Sequence, residues 1–151
     1  MLQFEGDRDF ALSPEQLFAH LSDCRFLVLC IPDADPPMLA EEKTARCVVR
    51  PGFAFIRGSL DLTLTLSETR PPQADNPAFV RLTLDSKGIG MSSVVETVLT
   101  LKPSGTGTRV QWSAEVKHLG GLLKMVPHGL IRGAAQKVIE DVWQTIARKL
   151  L

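Results

Sequence analysis

The last third of the chain, residues 116–151, is a long amphipathic segment that follows an almost unbroken series of strand-like runs. From Leu122 onward, apolar side chains recur every three or four residues, a spacing that places them on one face of a helix. They are Leu123, Val126, Leu130, Ala134, Val138, Val142 and Ile146. An apolar helix face needs another element to cover. The sequence therefore predicts one long C-terminal helix that lies across a sheet.

The middle of this predicted helix carries small residues, Gly133, Ala134 and Ala135. Side chains of this size do not fill the space between a helix and a curved sheet. Two interpretations stay open on the sequence alone. The helix either packs closely on the sheet at this point or leaves room there for a ligand.

Before the helix, the hydrophobic pattern has a period of two. In the clearest run, four leucines at positions 60, 62, 64 and 66 alternate with polar residues, as in a half-buried antiparallel strand. The pattern predicts strands at residues 2–11, 40–49, 53–66, 78–86, 92–101 and 108–117. Turn residues separate the later strands at 70–77, 87–90 and 103–107.

Two short helices are predicted after the first strand. Ser13, Pro14 and Gln16 form the signature of a capped helix start, because serine accepts hydrogen bonds from free amides and glutamine completes a capping box. A second helical turn is predicted over 23–31, with inward side chains at Phe26, Leu27, Leu29 and Cys30 and a stop at Pro32. The order predicts an α+β fold in a single domain, residues 1–151, with the helices on one side of an antiparallel sheet.

Composition limits the classes of function. Seventeen basic and seventeen acidic residues give a formal net charge of zero, which argues against nucleic acid as a partner. The start of the chain lacks a signal-peptide pattern, and no apolar run reaches the length of a membrane span, so we expect a cytoplasmic protein. Cys24, Cys30 and Cys47 form no C-x-x-C pair and are predicted to be free, buried thiols. We expect no metal site and no cofactor, since the histidines lack zinc-ligand spacing.

Four stretches of sequence carry a resemblance to a known family. They are S-P-E-Q-L-F at 13–18 with its continuation to L-C-I-P at 29–32, F-I-R-G at 55–58, K-G-I-G at 87–90, and G-T-G-T-R-V at 105–110. Together they resemble the carbon monoxide dehydrogenase G-subunit family, within the START and Bet v 1-like (SRPBCC) helix-grip superfamily. One departure is Asp33, which stands where that family usually has glycine after C-I-P.

The resemblance implies a fold and a function. The fold is a curved antiparallel sheet of about six or seven strands wrapped around a long C-terminal helix. The function is noncatalytic binding of an apolar ligand, an isoprenoid quinone or a lipid, in a cavity between helix and sheet. The family is also associated with docking a molybdenum hydroxylase to the cytoplasmic membrane. Two alternatives stay open: an enzyme similar to polyketide cyclases and aromatases, and a co-chaperone-like interaction module.

Inward parity selects the residues predicted to line the cavity. They are Leu29, Ile56, Leu60, Leu62, Val80, Leu82, Leu99, Trp112, Val126, Leu130 and Ala134. The indole N–H of Trp112 is a candidate donor to a ligand carbonyl, with a plain role in the cavity wall as the alternative. An inward Glu96 or His118 would favour the cyclase alternative.

A cationic stripe is predicted on the outer side of the long helix. Lys124, His128 and Arg132 are four residues apart, and no acidic residue occurs between Glu115 and Glu140. Together with the apolar residues around Lys124, this stripe is suited to anionic lipid headgroups or to an acidic partner. An ordinary solvated face is the alternative. Pro127 is predicted to kink the helix near this point.

Overall fold

The computed structural model describes residues 2–56 and 58–151, so Arg57 of the F-I-R-G stretch lies outside the described residues. The first half contains β1 (Gln3–Phe10), α1 (Pro14–Leu21), α2 (Cys24–Leu27), a 3-10 turn (Val28–Cys30), β2 (Leu39–Ala40), β3 (Thr44–Val49) and β4 (Leu60–Arg70). The second half contains β5 (Ala78–Gly88), β6 (Met91–Ser104), β7 (Gly107–Gly121), a 3-10 turn (Leu122–Met125) and α3 (His128–Lys149). The seven described strands form one antiparallel sheet in the order β1-β7-β6-β5-β4-β3-β2.

The predicted helix-grip architecture is confirmed, because α3 covers the concave face of this curved sheet. Strand register places Trp112 on β7 beside Gly6 on β1 and beside Leu99 on β6. Since side chains alternate between the faces of a strand, these three positions lie on the concave face, under the helix. Two tight turns, at Ile89-Gly90 and at Gly105-Thr106, join β5 to β6 and β6 to β7 as predicted.

The short helices begin where the sequence places them. The Ser13 hydroxyl accepts a hydrogen bond from the Gln16 amide (3.2 Å), and the Gln16 side chain accepts one from the Ser13 amide (3.1 Å). This is the predicted capping box. Asp23 caps α2 by accepting from the Arg25 amide (2.9 Å). The inward position predicted for Leu29 is wrong, because its side chain is 56% exposed.

Asp33 has a backbone conformation that glycine adopts more readily than aspartate does. Its φ angle is +59°, in the left-handed region that glycine adopts without strain and other residues adopt at a cost. The Asp33 carbonyl accepts a hydrogen bond from the Arg50 amide (2.8 Å), which ties this turn to the end of β3.

The strand predicted at 53–66 begins later, at Leu60. Residues ahead of it form a turn in which the Ile56 amide donates to the Phe53 carbonyl (3.1 Å) and the rings of Phe53 and Phe55 stack at 5.7 Å. Gly58 has a φ of +73°, which interrupts an extended backbone. The apolar residues ahead of Leu60 therefore did not predict the backbone conformation correctly, because Phe55 and Ile56 pack on the core from a turn and not from a strand.

The long helix also begins later than predicted. Strand β7 continues to Gly121, where it pairs with Met91 at the start of β6, and a 3-10 turn follows. Pro127 stands at the N-cap of α3 and does not kink it, because proline lacks an amide hydrogen and fits a helix start. The predicted helical face over 122–127 is wrong, since a 3-10 turn occupies Leu122–Met125 and Pro127 is the N-cap of α3.

The predicted buried face of α3 is correct in its C-terminal part, at Val142 and Ile146, and is displaced by about one residue in its first half. Its fully buried side chains are Ile131, Trp143 and Ile146, and Ala135, Ile139 and Val142 also pack on the core. One residue corresponds to about 100° around a helix. The predicted residues Leu130, Ala134 and Val138 therefore lie on the flank of the helix beside its buried face.

The core consists of two clusters of buried side chains. A larger cluster lies around α1, α2 and the C-terminal half of α3, and it contains Cys24, Cys30 and Cys47, which are free and buried as predicted. A smaller cluster lies at the start of α3 around Phe4, Met91, Leu123 and Ile131. Trp112 and Ile139 pack against both clusters.

Candidate functional site

The concave face of the sheet is incompletely covered between the two clusters. Leu84 and Ser86 on β5 lie on the concave face, and so do their register partners Val95 and Ser93 on β6. Leu84 packs against the larger cluster and Val95 against the smaller one. All four remain partly exposed. Because β5 and β6 have neighbouring strands on both sides, this exposure comes from the face and not from an edge. We call the space between these side chains and α3 the helix–sheet cleft.

Helix α3 lies toward one edge of the sheet. Its Glu140 carboxylate forms an ion pair with Arg8 on β1. About two turns earlier, the Arg132 guanidinium lies 5.3 Å from the centre of the Phe4 ring and 3.5 Å from the Gln3 carbonyl oxygen. Since residues 132, 136 and 140 share one flank of the helix, the opposite flank with Ala134 and Val138 faces away from β1, toward the cleft.

The predicted ligand-binding residues divide into four groups. Leu62, Val80, Leu82 and Leu99 belong to the larger core cluster, while Ile56, Leu60 and Val126 pack on the smaller one. Trp112 contacts both. Ala134 is half-buried and is packed against neither cluster, whereas Leu29 and Leu130 are each 56% exposed. The inward position predicted for Leu130 is therefore wrong, since it lies on the cleft flank near the open end of α3.

The indole of Trp112 has an unusual environment. Its Nε1 atom is buried, and it has no hydrogen-bond partner among the described residues. The ring lies against Gly6, where an added Cβ would be 2.9 Å from Cζ2 and 3.0 Å from Nε1. The ring of Trp143 on α3 packs beside it with centroids 6.2 Å apart. A buried N–H without an acceptor is costly and calls for an explanation.

Sequence reasoning missed two kinds of site residue. Gly6 was not selected, although glycine inside a strand is itself a signal of close approach by another group. Ser86 and Ser93 were also missed. They hydrogen-bond to each other through their hydroxyls on the concave face, and polar residues at inward positions of the alternation mark them.

The candidate acid–base residues do not face the cleft. Glu96 lies on the convex face, where its carboxylate accepts a hydrogen bond from Arg81 (2.8 Å). His118 on β7 lies beside the point where the register of β6 and β7 shifts, and its side chain is exposed. Its Nε2 is 3.4 Å from the Ser92 hydroxyl. An inward Glu96 or an inward His118 would have favoured the cyclase alternative, and neither side chain faces the cleft.

An exposed apolar surface lies at the end of the molecule where α3 begins. Ile89 in the β5–β6 turn is 88% exposed, and Met125 and Leu122 in the 3-10 turn are 82% and 57% exposed. The two turns are joined by a hydrogen bond from the Leu122 amide to the Gly90 carbonyl (2.8 Å). We call Ile89, Leu122 and Met125 the apolar tip.

The cationic stripe is not a single helix face. Lys124 lies in the 3-10 turn, His128 is the first residue of α3, and Arg132 is on the helix with its guanidinium over Phe4. The prediction of three cations along one helix is wrong, because Pro127 separates Lys124 from α3. Lys87 and Lys124 are exposed instead beside the apolar tip, since Lys87 is two residues before Ile89 and Lys124 directly precedes Met125.

Two surface depressions are open to solvent. One, of about 560 Å³, lies over the convex side of β1, β7 and β6, and is lined mainly by polar side chains, among them Glu5, Asp7 and Gln111. The other, of about 170 Å³, lies between the end of β7 and the start of α3, beside His118 and His128. Neither coincides with the cleft.

Burial controls the chemistry of the thiols. It raises the pKa of Cys24 and of Cys30 to about 11 and also raises the pKa of Cys47. A thiol must ionise to act as a nucleophile or a metal ligand, so these three are unreactive near neutral pH. The described residues contain no group of three or more histidine, cysteine or acidic side chains placed to hold a metal ion.

Comparison with known proteins gives a family and a fold. The family model for the G-subunit of carbon monoxide dehydrogenase (CoxG) matches residues 6–151. A conserved protein from Geobacillus kaustophilus superposes with a TM-score of 0.82 at 20% identity, covering 99% of this chain and 95% of that one. A START superfamily protein from Mycobacterium smegmatis superposes with a TM-score of 0.66 at 16% identity, covering 98% and 96%. No curated protein matches the sequence. Among the described residues, no helix has the length and apolar character of a membrane span.

Proposed function

Because the chain belongs to the carbon monoxide dehydrogenase G-subunit (CoxG) family, as the sequence predicted, we propose that it binds an apolar ligand in the helix–sheet cleft without catalysing a reaction. The family and the START-like fold indicate a ligand-binding domain. The ligand class we propose is an isoprenoid quinone or another lipid. The single observation that carries this proposal is the partial exposure of Leu84 and Val95 on β5 and β6, although both pack against the core on the face that α3 covers.

The cleft suits an apolar ligand for a physical reason. Its walls are mainly aliphatic, and the small side chain of Ala134 faces it from the helix flank. Each 100 Å² of apolar surface that a ligand removes from water contributes about 2.5 kcal/mol. A ligand with a long hydrocarbon portion therefore gains more from this cleft than a compact polar molecule does.

The tether between α3 and β1 supports binding without a large change of fold. Arg8 and Arg132 attach the helix at the β1 side, while the Ala134 flank is not packed against either core cluster. A small outward movement of this flank would widen the cleft and leave the larger cluster around Trp143 and Ile146 in place.

The apolar tip supports a peripheral contact with the cytoplasmic face of a membrane, which is the second part of the proposal. Exposed Ile89 and Met125 would enter the boundary between headgroups and acyl chains, and Lys87 and Lys124 would lie near anionic headgroups. Such a contact would bring the cleft, whose Ser86 and Ser93 lie close to the β5–β6 turn, near the membrane in which quinones and lipids reside. A molybdenum hydroxylase of the carbon monoxide dehydrogenase type is the partner that would be docked there.

A co-chaperone-like interaction module is the second candidate, since the apolar tip is also a feature that a protein partner could recognise. The cyclase alternative has less support, because Glu96 and His118 lie away from the cleft. The partly exposed concave face distinguishes the first candidate from the second, since an interaction module has no need of an uncovered interior.

Native mass spectrometry of protein purified from its own host tests the proposal directly. We expect a bound species whose added mass is that of a quinone or lipid, and uptake of a short-chain quinone on titration. A ligand-free spectrum with no uptake of quinone or phospholipid would contradict the carrier function and leave the interaction module.

A further inference from the structure

We propose that the buried indole N–H of Trp112 is the polar recognition point of the ligand site, and that it donates a hydrogen bond to an oxygen on an otherwise apolar ligand. This inference deepens the proposed function and rests on it. It names a residue, Trp112, and a chemical requirement, an acceptor oxygen such as a ring carbonyl.

The first argument is the state of the Nε1 atom. It is inaccessible to solvent and has no acceptor among the described residues. Indole N–H groups usually find a partner when buried, and leaving one unpaired costs stability. A chain that keeps a donor in this state gains from a ligand that supplies the missing acceptor.

The second argument is the space made for the ring. Gly6 is the register partner of Trp112, and a Cβ on Gly6 would come within 3.0 Å of Nε1. The indole therefore lies directly on the backbone of β1. A side chain here would push the N–H from its position, so the strand is built to accept the ring in this orientation.

The third argument is location. Trp112 and Ile139 pack against both core clusters, so the indole lies at their junction beneath α3. The proposal requires that a ligand entering from the Ala134 flank extends under α3 to this junction, on the β1 side. An acceptor oxygen there would meet the indole N–H in apolar surroundings, where a hydrogen bond is stronger than in water.

Apolar surface alone does not distinguish one lipid from another. The hydroxyls of Ser86 and Ser93 are bonded to each other, whereas the indole N–H has no partner among the described residues. This donor favours a molecule that carries oxygen on its ring over a hydrocarbon of the same shape. The site would then distinguish the two molecules by whether the indole N–H has an acceptor, as expected for a binding site with few polar groups.

The test compares two probes of matched shape, a short-chain prenylated 1,4-naphthoquinone and the prenylated naphthalene that lacks both ring oxygens. We expect the wild type to bind the quinone about three- to tenfold more tightly than the hydrocarbon, a ratio set by one hydrogen bond. In Trp112→Phe, which keeps an aromatic ring and removes the donor, the two affinities should become equal.

A spectroscopic readout follows the donor itself. The chain contains two tryptophans, so indole-¹⁵N labelling gives two N–H signals, and Trp143→Phe assigns them. The Trp112 N–H signal should move downfield with the quinone and should not move in this way with the hydrocarbon. Gly6→Ala, which displaces the ring without removing the donor, should reduce the preference for the quinone. Thermal unfolding confirms that each variant is folded.

The failures are distinguishable. If both probes bind and Trp112→Phe leaves the preference for the quinone unchanged, the inference is overturned while the proposed function stands. If neither probe binds the wild type, the proposed function fails and the inference with it.

Discussion

The guanidinium of Arg8 on β1 is paired with the carboxylate of Glu140 on α3, across 132 residues of sequence. This ion pair is a direct side-chain link between the first strand and the last helix. The side chains are 31% and 52% exposed, so water screens the interaction. The link therefore positions the helix more than it stabilises the fold.

A double-mutant cycle of Arg8→Ala and Glu140→Gln tests this assessment. We expect a coupling energy of about 0.2–1 kcal/mol, as for other exposed ion pairs. Chemical denaturation measures it. The variants should also take up a quinone faster than the wild type does, because α3 is less firmly held. A coupling above about 2 kcal/mol would show that the pair is a main support of the helix.

Ala134→Phe is expected to abolish ligand binding with little loss of stability, because Ala134 packs on neither core cluster and its flank faces the cleft. In a filled core the same change would overpack the structure and cost about 1–3 kcal/mol. Ala147→Phe is the matched control, since Ala147 is exposed on the same helix. Equal quinone binding by the two variants would contradict the placement of the cleft.

The apolar tip is expected to govern attachment to anionic vesicles. Replacing Ile89 and Met125 with serine should release the protein, because both side chains are almost fully exposed and contribute apolar contact. Lys124→Glu should weaken binding by reversing a charge that contributes about 1 kcal/mol at an anionic surface. Co-sedimentation at low and high salt measures both effects.

Arg148→Glu makes the same charge reversal near the other end of α3 and serves as the control for the vesicle experiment. Its binding should match that of the wild type. Wild-type protein that stays in the supernatant with anionic vesicles would contradict the membrane contact and leave the exposed lysines as an ordinary solvated surface.

The thiols predict a pH dependence of stability. Burial holds the pKa of Cys24 and Cys30 near 11 in the folded protein, whereas an unfolded thiol ionises near 9. Between these values the unfolded chain releases protons that the folded protein keeps, so the free energy of unfolding should fall as pH rises from about 9 to 11. Denaturation curves across this range measure the decline.

Alkylation supplies an independent measurement of the same thiols. At about pH 8, iodoacetamide should modify the folded protein slowly and the denatured protein at all three cysteines. Rapid labelling of Cys24 in the folded protein would contradict its burial.

Asp33→Gly is expected to relieve the left-handed backbone at the turn before β2, with a gain of at most about 1 kcal/mol, because glycine also loses more entropy on folding. Asp33→Ala should destabilise the protein instead, since alanine is poorly suited to a positive φ. Thermal denaturation of the pair gives the sign of each change, and stabilisation by alanine would contradict the strain.

Much of the fold could be predicted from local sequence. The leucine alternation of β4, the capping box of α1 and the glycine turns of the hairpins are properties of a few neighbouring residues, and they appear as predicted. The boundary between β7 and α3 could not be predicted in this way. Residues 116–121 suit a helix by spacing, yet they pair with β6, and that partner is distant in sequence.

The site was less predictable than the fold. Inward parity identified Trp112 and Leu60, but parity cannot tell a fully buried leucine such as Leu82 from one that borders a cleft. That distinction depends on where α3 lies on the sheet, and the contacts of Arg8 and Arg132 that link it to β1 were not part of the predicted core. In the first half of α3 the packed side chains Ile131, Ala135 and Ile139 were likewise missed, because apolar residues there fit either of two adjacent helix faces.

The lean of α3 toward β1 has a consequence for self-association. Strand β1 is one boundary strand of the sheet, and an uncovered boundary strand can pair with the same strand of another molecule. Arg132 reaches the Gln3 carbonyl there, and Arg8 holds the helix alongside. The opposite boundary strand, β2, has two residues, too few to template a stable pairing. Both ends of the sheet thus discourage growth into a continuous intermolecular sheet.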